Sequence, residues 1–224
     1  MSEQLPFIFS DTSELFSGLI AGPENELAIK WLEKWPEWPP PSRFLNIFGP
    51  NACGKSRLGR FHHQRTGAQI LTKLVKWDPL EITGNHFILD DITISKNWSE
   101  EALFFLYQTV TGNSGTVLFI SEKPISNIAW QLNDLGSRFR SVYAQEILPL
   151  SEASLRPLLE HHFTERQCVI PQTVLNFLVP RVRREYSYIR KLVYAIDKLS
   201  LNNKQSVSIG LVKQVLSEFP GDGS

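Results

Sequence analysis

The stretch Gly49-Pro50-Asn51-Ala52-Cys53-Gly54-Lys55-Ser56 decides the fold, because it fits the pattern G-x-x-x-x-G-K-[S/T] of a phosphate-binding loop. Such a loop needs a buried strand before it and a helix after it. The apolar run of residues 43–48 supplies the strand, and residues 56–63 supply the start of a helix. The sequence therefore predicts a strand, a tight loop and a helix whose N-terminus faces bound phosphate.

The residue types of this loop suit the phosphate chain of a nucleotide. Glycines let the backbone curl so that its N–H groups point inward, where they can bind phosphate oxygens. We expect Lys55 to reach the β- and γ-phosphates and Ser56 to bind Mg²⁺. The predicted nucleotide-binding residues of this segment are Gly49, Pro50, Asn51, Ala52, Cys53, Gly54, Lys55, Ser56 and Arg57.

A second strong strand signal, at residues 86–89, runs directly into the carboxylates Asp90 and Asp91. An apolar run of this kind is typical of a buried parallel strand, and ligands bind at the carboxyl edge of such sheets. We expect Asp90 to orient Mg²⁺ or its water and Asp91 to polarise an attacking water. A turn without function is the alternative, which the upstream phosphate-binding loop disfavours.

Three further strand signals complete a parallel sheet flanked by helices; they cover residues 69–72, 116–120 and 142–148. The second of them ends in Ser121 and Glu122, which would sense the γ-phosphate at the same sheet edge. A simple cap of the strand end is an equally good interpretation. Helices are predicted to open at Pro23, to follow Ser99 as an N-cap, and to cover residues 125–135.

Beyond Pro149 the apolar spacing is helical throughout, and four amphipathic stretches predict a small bundle. The chain of 224 residues is long enough for one α/β core and a small second domain. We therefore expect an N-terminal peptide and loop in residues 1–22, a nucleotide-binding domain in residues 23–148 and a helical domain in residues 149–224.

Composition argues against several classes of protein. The 23 basic and 23 acidic residues cancel, whereas duplex-DNA binding usually needs a basic face. The two cysteines form no disulfide framework, which favours a reducing cytosol. No apolar run reaches membrane-span length and the N-terminus lacks a signal-peptide pattern, so no membrane partner is expected. The histidine pairs 62–63 and 161–162 are adjacent and share no helix face, so neither pair predicts a metal site.

The N-terminal stretch Gln4-Leu5-Pro6-Phe7-Ile8-Phe9 carries apolar residues at alternate positions. An extended chain would point Leu5, Phe7 and Phe9 the same way, into a hydrophobic groove of another protein, while Gln4 forms hydrogen bonds at its edge. A short edge strand of the domain itself is the alternative, and the pattern does not separate the two.

The order of these motifs resembles the AAA+ ATPases, and within them the DnaA branch. Similar segments are the lead-in Gly22-Pro23-Glu24-Asn25 with Ala28, the acidic strand 87–92, the segment Leu135-Gly136-Ser137-Arg138-Phe139 and the helix 188–193. The resemblance covers nearly the whole chain and implies an AAA+ module with a C-terminal lid. It also implies that Arg138 is an arginine finger and that Arg190 is the lid arginine called sensor 2.

Two features narrow the resemblance to the Hda-type regulators of replication initiation. The chain stops after the lid, without the helix-turn-helix domain of DnaA, and residues 4–9 are similar to the clamp-binding hexapeptide Q-L-x-L-x-L. The resemblance implies binding of ATP or ADP with Mg²⁺, recruitment to the DNA polymerase III sliding clamp, and hydrolysis of DnaA-bound ATP. The implied partners are DnaA, the clamp and, through the clamp, DNA; a homo-oligomer is left open.

Departures from the family pattern keep some choices open. The loop interior 51–53 lacks the usual extra glycine and Arg57 stands where His is common, so the preference for ATP or ADP is undecided. A helicase loader and a nucleotide-gated adaptor without catalysis are the alternative functions. The clamp-like peptide disfavours the loader, and the set Lys55, Asp90 and Asp91 disfavours the adaptor. Whether the chain itself hydrolyses ATP is undecided.

Overall fold

The computed structural model describes residues 21–39, 43–76, 78 and 84–218, so the clamp-like peptide lies outside the described residues. Its strands form one five-stranded parallel sheet in the order β2-β3-β4-β1-β5. The strands are β1 (Phe44–Phe48), β2 (Gln69–Leu71), β3 (His86–Leu89), β4 (Thr116–Ser121) and β5 (Tyr143–Glu146). Each of them corresponds to a strand signal of the sequence.

Within the described ranges, four α-helices accompany the sheet and four follow it. The first group is α1 (Glu26–Glu33), α2 (Lys55–Thr66), α3 (Glu100–Gly112) and α4 (Asn133–Phe139). The second group is α5 (Glu152–Glu165), α6 (Gln172–Leu178), α7 (Tyr186–Asn203) and α8 (Ile209–Glu218). This arrangement confirms the predicted fold class, an α/β module with a C-terminal helical lid. Among the described helices, none combines the length and apolar character needed to cross a bilayer.

The buried apolar residues in the described part of the chain form three clusters, one on each face of the sheet and one among the C-terminal helices. Along β4 the side chains alternate, with Val117 and Phe119 in one cluster and Leu118 and Ile120 in the other. All six residues of β4 are buried, which is typical of a central parallel strand. Helices α5 to α8 pack around a separate cluster of buried apolar residues. The exact domain boundary at residue 148 stays a prediction.

The predicted helix over residues 125–135 is wrong in its limits. A 3₁₀ turn covers Ile125–Asn127, and α4 begins only at Asn133. Specific hydrogen bonds hold the intervening segment out of a helix. The Trp130 indole donates to Ile125 O at 2.8 Å, and the Glu100 carboxylate accepts from the backbone N–H groups of residues 131 and 132.

This shift changes the setting of two arginines. Arg138 lies in the last turn of α4, and Arg140 is its C-cap in a right-handed helical conformation. Arg138 therefore lies within a helix, beyond the predicted helix end at residue 135.

The predicted helix start at Pro23 is also early. Asn25 and Glu26 donate their backbone N–H groups to Gly22 O, and the Asn25 side chain accepts from Gly22 N, so residues 22–25 form a turn before α1. Through the side chain of Glu24, this turn also connects α1 with the first lid helix.

One core contact makes stability depend on pH. His62 of α2 stacks on Trp38 with ring centroids 5.2 Å apart and meets Trp35 edge-on at 6.0 Å. Neither ring nitrogen has a hydrogen-bond partner among the residues that the structure describes. Burial, with smaller contributions from Arg65 and His86, lowers the pKa of His62 from 6.5 to about 3. The ring is therefore neutral in the folded protein at neutral pH.

We predict that His62 destabilises the fold on acidification. The pKa of His62 is lower in the folded than in the unfolded protein. Its contribution to the free energy of unfolding is therefore fully present above pH 6.5 and is lost as the pH falls towards 3. The loss between pH 6.5 and 4.5 is on the order of 2–3 kcal/mol. Urea unfolding at several pH values gives the free energy of unfolding as a function of pH. This free energy should fall less steeply on acidification for His62→Phe than for wild type. The exposed His63→Gln is the control and should follow the wild-type curve. Equal slopes for His62→Phe and wild type would contradict this assignment.

Candidate nucleotide-binding site

A cleft of about 810 Å³ opens where the carboxyl ends of β1 to β4 meet the lid. Its lining combines the phosphate-binding loop, the acids after β3 and the start of α7. The lining residues are Asn51, Ala52, Gly54, Lys55, Ser56, Arg57, Arg60, Phe61, Gln64, Thr72, Lys73, Asp90, Asp91, Asn97, Ile120, Tyr186, Ser187 and Arg190. Five of these are cationic and two are carboxylates, so the cleft favours an anionic ligand although the chain is neutral overall.

Close approach of the backbone explains the two glycines of the loop. A Cβ on Gly49 would lie 2.3 Å from Ile147 O, which no side chain can tolerate. Gly54 has a φ of +99°, the left-handed region that glycine adopts at least cost. A Cβ there would lie 3.5 Å from the Tyr186 ring. The loop is thus curled between β5 and the lid, with α2 beginning at Lys55 directly behind it.

Lys55 is held inside the loop by main-chain oxygens. Its ammonium donates to Gly49 O at 2.8 Å and to Pro50 O at 2.7 Å. An ammonium has three donors, and the third is within reach only of the weak acceptor Cys53 Sγ, which a phosphate oxygen would replace. The same ammonium lies 3.9 Å from Cys53 Sγ, and burial raises the pKa of that thiol despite the nearby positive charge. Cys53 is therefore a neutral packing residue of the loop.

Ser56 and Asp90 meet as the sequence predicts. The Ser56 hydroxyl donates to Asp90 Oδ1 at 3.0 Å. A hydroxyl and a carboxylate are oxygen ligands of the kind that Mg²⁺ prefers, and the ion commonly completes its shell with phosphate oxygens and water. Within the described ranges there is no cluster of three His, Cys, Asp or Glu side chains for a metal. The residues present therefore fit Mg²⁺ bound together with a nucleotide rather than an independent metal centre.

Asp91 is placed by an unusual backbone conformation. Its φ is +63°, which is uncommon for a residue other than glycine, although Asp tolerates it better than most. The Trp98 indole donates to Asp91 O at 3.0 Å, and Ile92 N donates to Ile120 O at 2.9 Å. These bonds hold the exposed Asp91 side chain at the cleft wall. Nothing in the sequence pattern predicted the role of Trp98.

The lid contributes Tyr186 and Arg190 from consecutive turns of α7. Arg190 is exposed while its neighbour Ile189 is fully buried, so the arginine side chain extends away from the core of the helical bundle. Arg57 of α2 faces this pair. Burial lowers the pKa of Arg57, an effect that attraction to Glu165 of the lid opposes and that Arg190 reinforces. Arg57 and Arg190 thus lie near each other on opposite walls of the cleft.

Five predicted nucleotide-binding residues do not line the cleft: Gly49, Pro50 and Cys53 of the loop, and Ser121 and Glu122 after β4. Ser121 is buried, where its hydroxyl accepts from Asn46 Nδ2 at 2.9 Å and donates to Lys123 O at 2.6 Å. This is the setting expected for a strand-end cap. Glu122 is exposed and lies outside the lining. A contact of either residue with phosphate stays a prediction.

Arg138 lies on α4, outside the cleft. Its guanidinium sits over the rings of Phe104 and Tyr107, 5.2 Å from each centroid, on the surface formed by α3 and α4. No carboxylate in the described part of the chain pairs with it. The arginine is thus oriented by aromatic packing and its charge is not neutralised by an acid.

Sequence reasoning missed several cleft residues, among them Tyr186, Arg60 and Lys73. A usable signal existed for Tyr186, because it precedes Arg190 by four residues and therefore shares its helix face. Lys73 follows β2 at the same sheet edge as Asp90, but a lone lysine after a strand is not a distinctive pattern.

Comparison with known proteins gives matches in both sequence and fold. A family model described as "Hda, lid domain" matches residues 152–216. An uncharacterised protein of Haemophilus influenzae is 24% identical over 188 residues, which are 78% of this chain and 81% of that protein. The chromosomal replication initiator protein DnaA of Helicobacter pylori is 26% identical over 141 residues, which are 61% of this chain but only 30% of DnaA.

Two solved structures of DnaA show the same fold. Domain III of DnaA from Thermotoga maritima has a TM-score of 0.71 at 14% identity and covers 92% of this chain and 96% of that chain. DnaA bound to AMPPCP and single-stranded DNA has a TM-score of 0.67 at 15% identity, with 94% of this chain and 70% of that chain covered. At such low identity the likeness establishes the fold alone.

The parallel sheet, the phosphate-binding loop at its carboxyl edge and the C-terminal helices give the chain the fold of DnaA domain III. Residues 152–216 thus match the model of an Hda lid domain, and the sequence is similar to that of DnaA proteins.

Proposed function

We propose that this chain is a nucleotide-binding regulator that promotes hydrolysis of DnaA-bound ATP and so limits the initiation of DNA replication. The observation that carries the proposal is the cleft, where cations from the loop, α2 and the lid surround Asp90 and Asp91. This arrangement supports binding of ATP or ADP with Mg²⁺. The match to an Hda lid supports a regulatory role within the DnaA-related family.

Each cleft residue has a role that follows from its position. Lys55 donates to phosphate oxygens, and Ser56 with Asp90 would hold Mg²⁺, which would neutralise phosphate charge when bound. Asp91 polarises a water at the cleft wall. Arg190 brings a lid cation to the nucleotide, so binding and lid position are coupled.

Arg138 is suited to act on the nucleotide of a partner. It lies outside its own cleft and is oriented by Phe104 and Tyr107, so its planar guanidinium is available at the surface. A fixed cation of this shape stabilises the charge that develops on a transferring phosphoryl group. We propose that Arg138 supplies this charge to ATP bound by DnaA.

Replacement of Arg138 should remove the stimulation but not the binding functions. We expect Arg138→Ala to reduce stimulated DnaA ATP hydrolysis by about ten- to a hundredfold, less than the 10³–10⁵ found for arginine fingers in GTPases, because DnaA is already an ATPase. Arg138→Lys should also fail, since one ammonium does not reproduce the guanidinium fork. The measurement is phosphate release from ATP-loaded DnaA with clamp-loaded DNA and this protein.

Arg140 provides the matched control for this assay, because it is an exposed arginine two residues away at the C-cap of the same helix. Arg140→Ala should retain most of the stimulation. Full stimulation by Arg138→Ala would refute the finger assignment and favour an adaptor without a catalytic contribution.

Recruitment to the sliding clamp is proposed from residues 4–9 of the sequence, which lie outside the described residues. The double change Gln4→Ala, Leu5→Ala should abolish co-migration with the clamp, because it removes an edge hydrogen bond and an apolar side chain from the peptide. ATP affinity should not change. If the variant still co-migrates as wild type does, the peptide does not bind the clamp.

A further inference from the structure

Glu24 is a buried carboxylate that does not line the nucleotide cleft. Only 4% of the residue is exposed. Its Oε1 accepts from the Ser151 backbone N–H at 2.8 Å, and its Oε2 accepts from the Ser154 hydroxyl at 2.9 Å. Glu24 belongs to the turn before α1, whereas Ser151 is the N-cap of α5 and Ser154 lies in its first turn. One side chain therefore links the lead-in of the α/β domain to the first lid helix.

The local structure is built to accept this carboxylate. Burial of a carboxylate is costly unless both oxygens are hydrogen-bonded, and here both are. The N-terminus of a helix adds favourable positive potential. The backbone also makes room, because a Cβ on Gly22 would lie 2.6 Å from Glu24 Oε2 and 2.9 Å from Ser154 Oγ. The glycine of the lead-in is thus needed for the link.

The link continues to the phosphate-binding loop through Tyr186. Burial raises the pKa of Tyr186 to about 12, and the negative charge of Glu24 adds to this effect. The Tyr186 ring packs against Gly54 and lines the cleft together with Arg190, one turn further along α7. The contacts of Glu24 and those of Tyr186 therefore hold the lid against the α/β domain at neighbouring points.

We propose that Glu24 is a positioning residue for the nucleotide site, which holds the start of α5 on the lead-in and so fixes Tyr186 and Arg190 over the phosphate-binding loop. Its effect on nucleotide affinity rests on the proposed nucleotide binding. Its effect on lid geometry is independent of any ligand. The two consequences can be measured separately.

Lid geometry is tested by the distance between spin labels at Gln108 of α3 and Gln214 of α8, both exposed, in the full chain with Cys168→Ser. Glu24→Gln keeps the shape of the side chain but loses the charge and one acceptor. We expect a narrow distance distribution for wild type and a broader or shifted one for Glu24→Gln. Glu26→Gln is the matched control, because Glu26 is exposed and its ion pair among the described residues is with Lys30 of the same helix.

Nucleotide affinity is tested by a double-mutant cycle of Glu24→Gln with Arg190→Ala, using titration with ATP and Mg²⁺. Glu24→Gln should weaken binding by about five- to tenfold, which is the effect of losing one hydrogen bond of ordinary strength. Because Glu24 acts through the lid, Arg190→Ala should weaken binding much less in the Glu24→Gln background than in wild type. Additive losses would mean that Glu24 contributes only to general stability and would overturn the proposal.

The outcomes separate this inference from the proposed function. If wild type binds no nucleotide, the proposed function fails, and the spin-label distances still decide the role of Glu24. A Glu24→Gln distribution identical to that of wild type would overturn the positioning role. If Glu24→Gln does not fold, Ser154→Ala removes a single hydrogen bond of the link and should broaden the same distribution.

Discussion

Backbone hydrogen bonds at the carboxyl end of β1 fix the start of the phosphate-binding loop, and the site depends on them. Ile147 N donates to Phe48 O at 2.7 Å, and Gly49 N donates to Ser121 O at 3.3 Å, so the end of β1 is held between its two neighbouring strands. The chain then leaves the sheet so close to Ile147 O that residue 49 must be glycine. The position of Lys55 follows from this exit, because α2 begins at that residue.

The electrostatics of the cleft arise from elements that are far apart in sequence. The sheet supplies Asp90 at the end of β3, α2 supplies Arg57, and the lid supplies Arg190. Mutual repulsion of the cations is unfavourable in the absence of an anion, so the cleft gains most from a ligand with several negative charges. A nucleotide would therefore bind more favourably when α5 and α7 hold the lid close, which connects the buried Glu24 to the chemistry of the loop.

Much of this structure could be predicted from sequence, because strong local patterns determine it. The loop pattern at residues 49–56 predicted the strand before it and the helix after it. The two carboxylates after residue 89 predicted the strand that ends there. The structure of the segment 125–135 was harder to predict. Its apolar spacing suits a helix, but side-chain hydrogen bonds that involve Trp130 and Glu100 prevent one. The link from Glu24 to Ser151 spans 127 positions, and no local pattern carries such a contact.

The most direct test of the account is calorimetric titration of ATP and ADP, each with Mg²⁺, into wild type and Lys55→Ala. Two loop carbonyls orient the ammonium of Lys55 where the phosphate chain would lie. Removal of the ammonium should therefore lower the affinity for both nucleotides by about tenfold or more without unfolding the chain. Lys34→Ala is the control, because that exposed lysine lies over Trp31, outside the cleft lining. Equal affinity of wild type and Lys55→Ala for both nucleotides would contradict the assignment of the cleft.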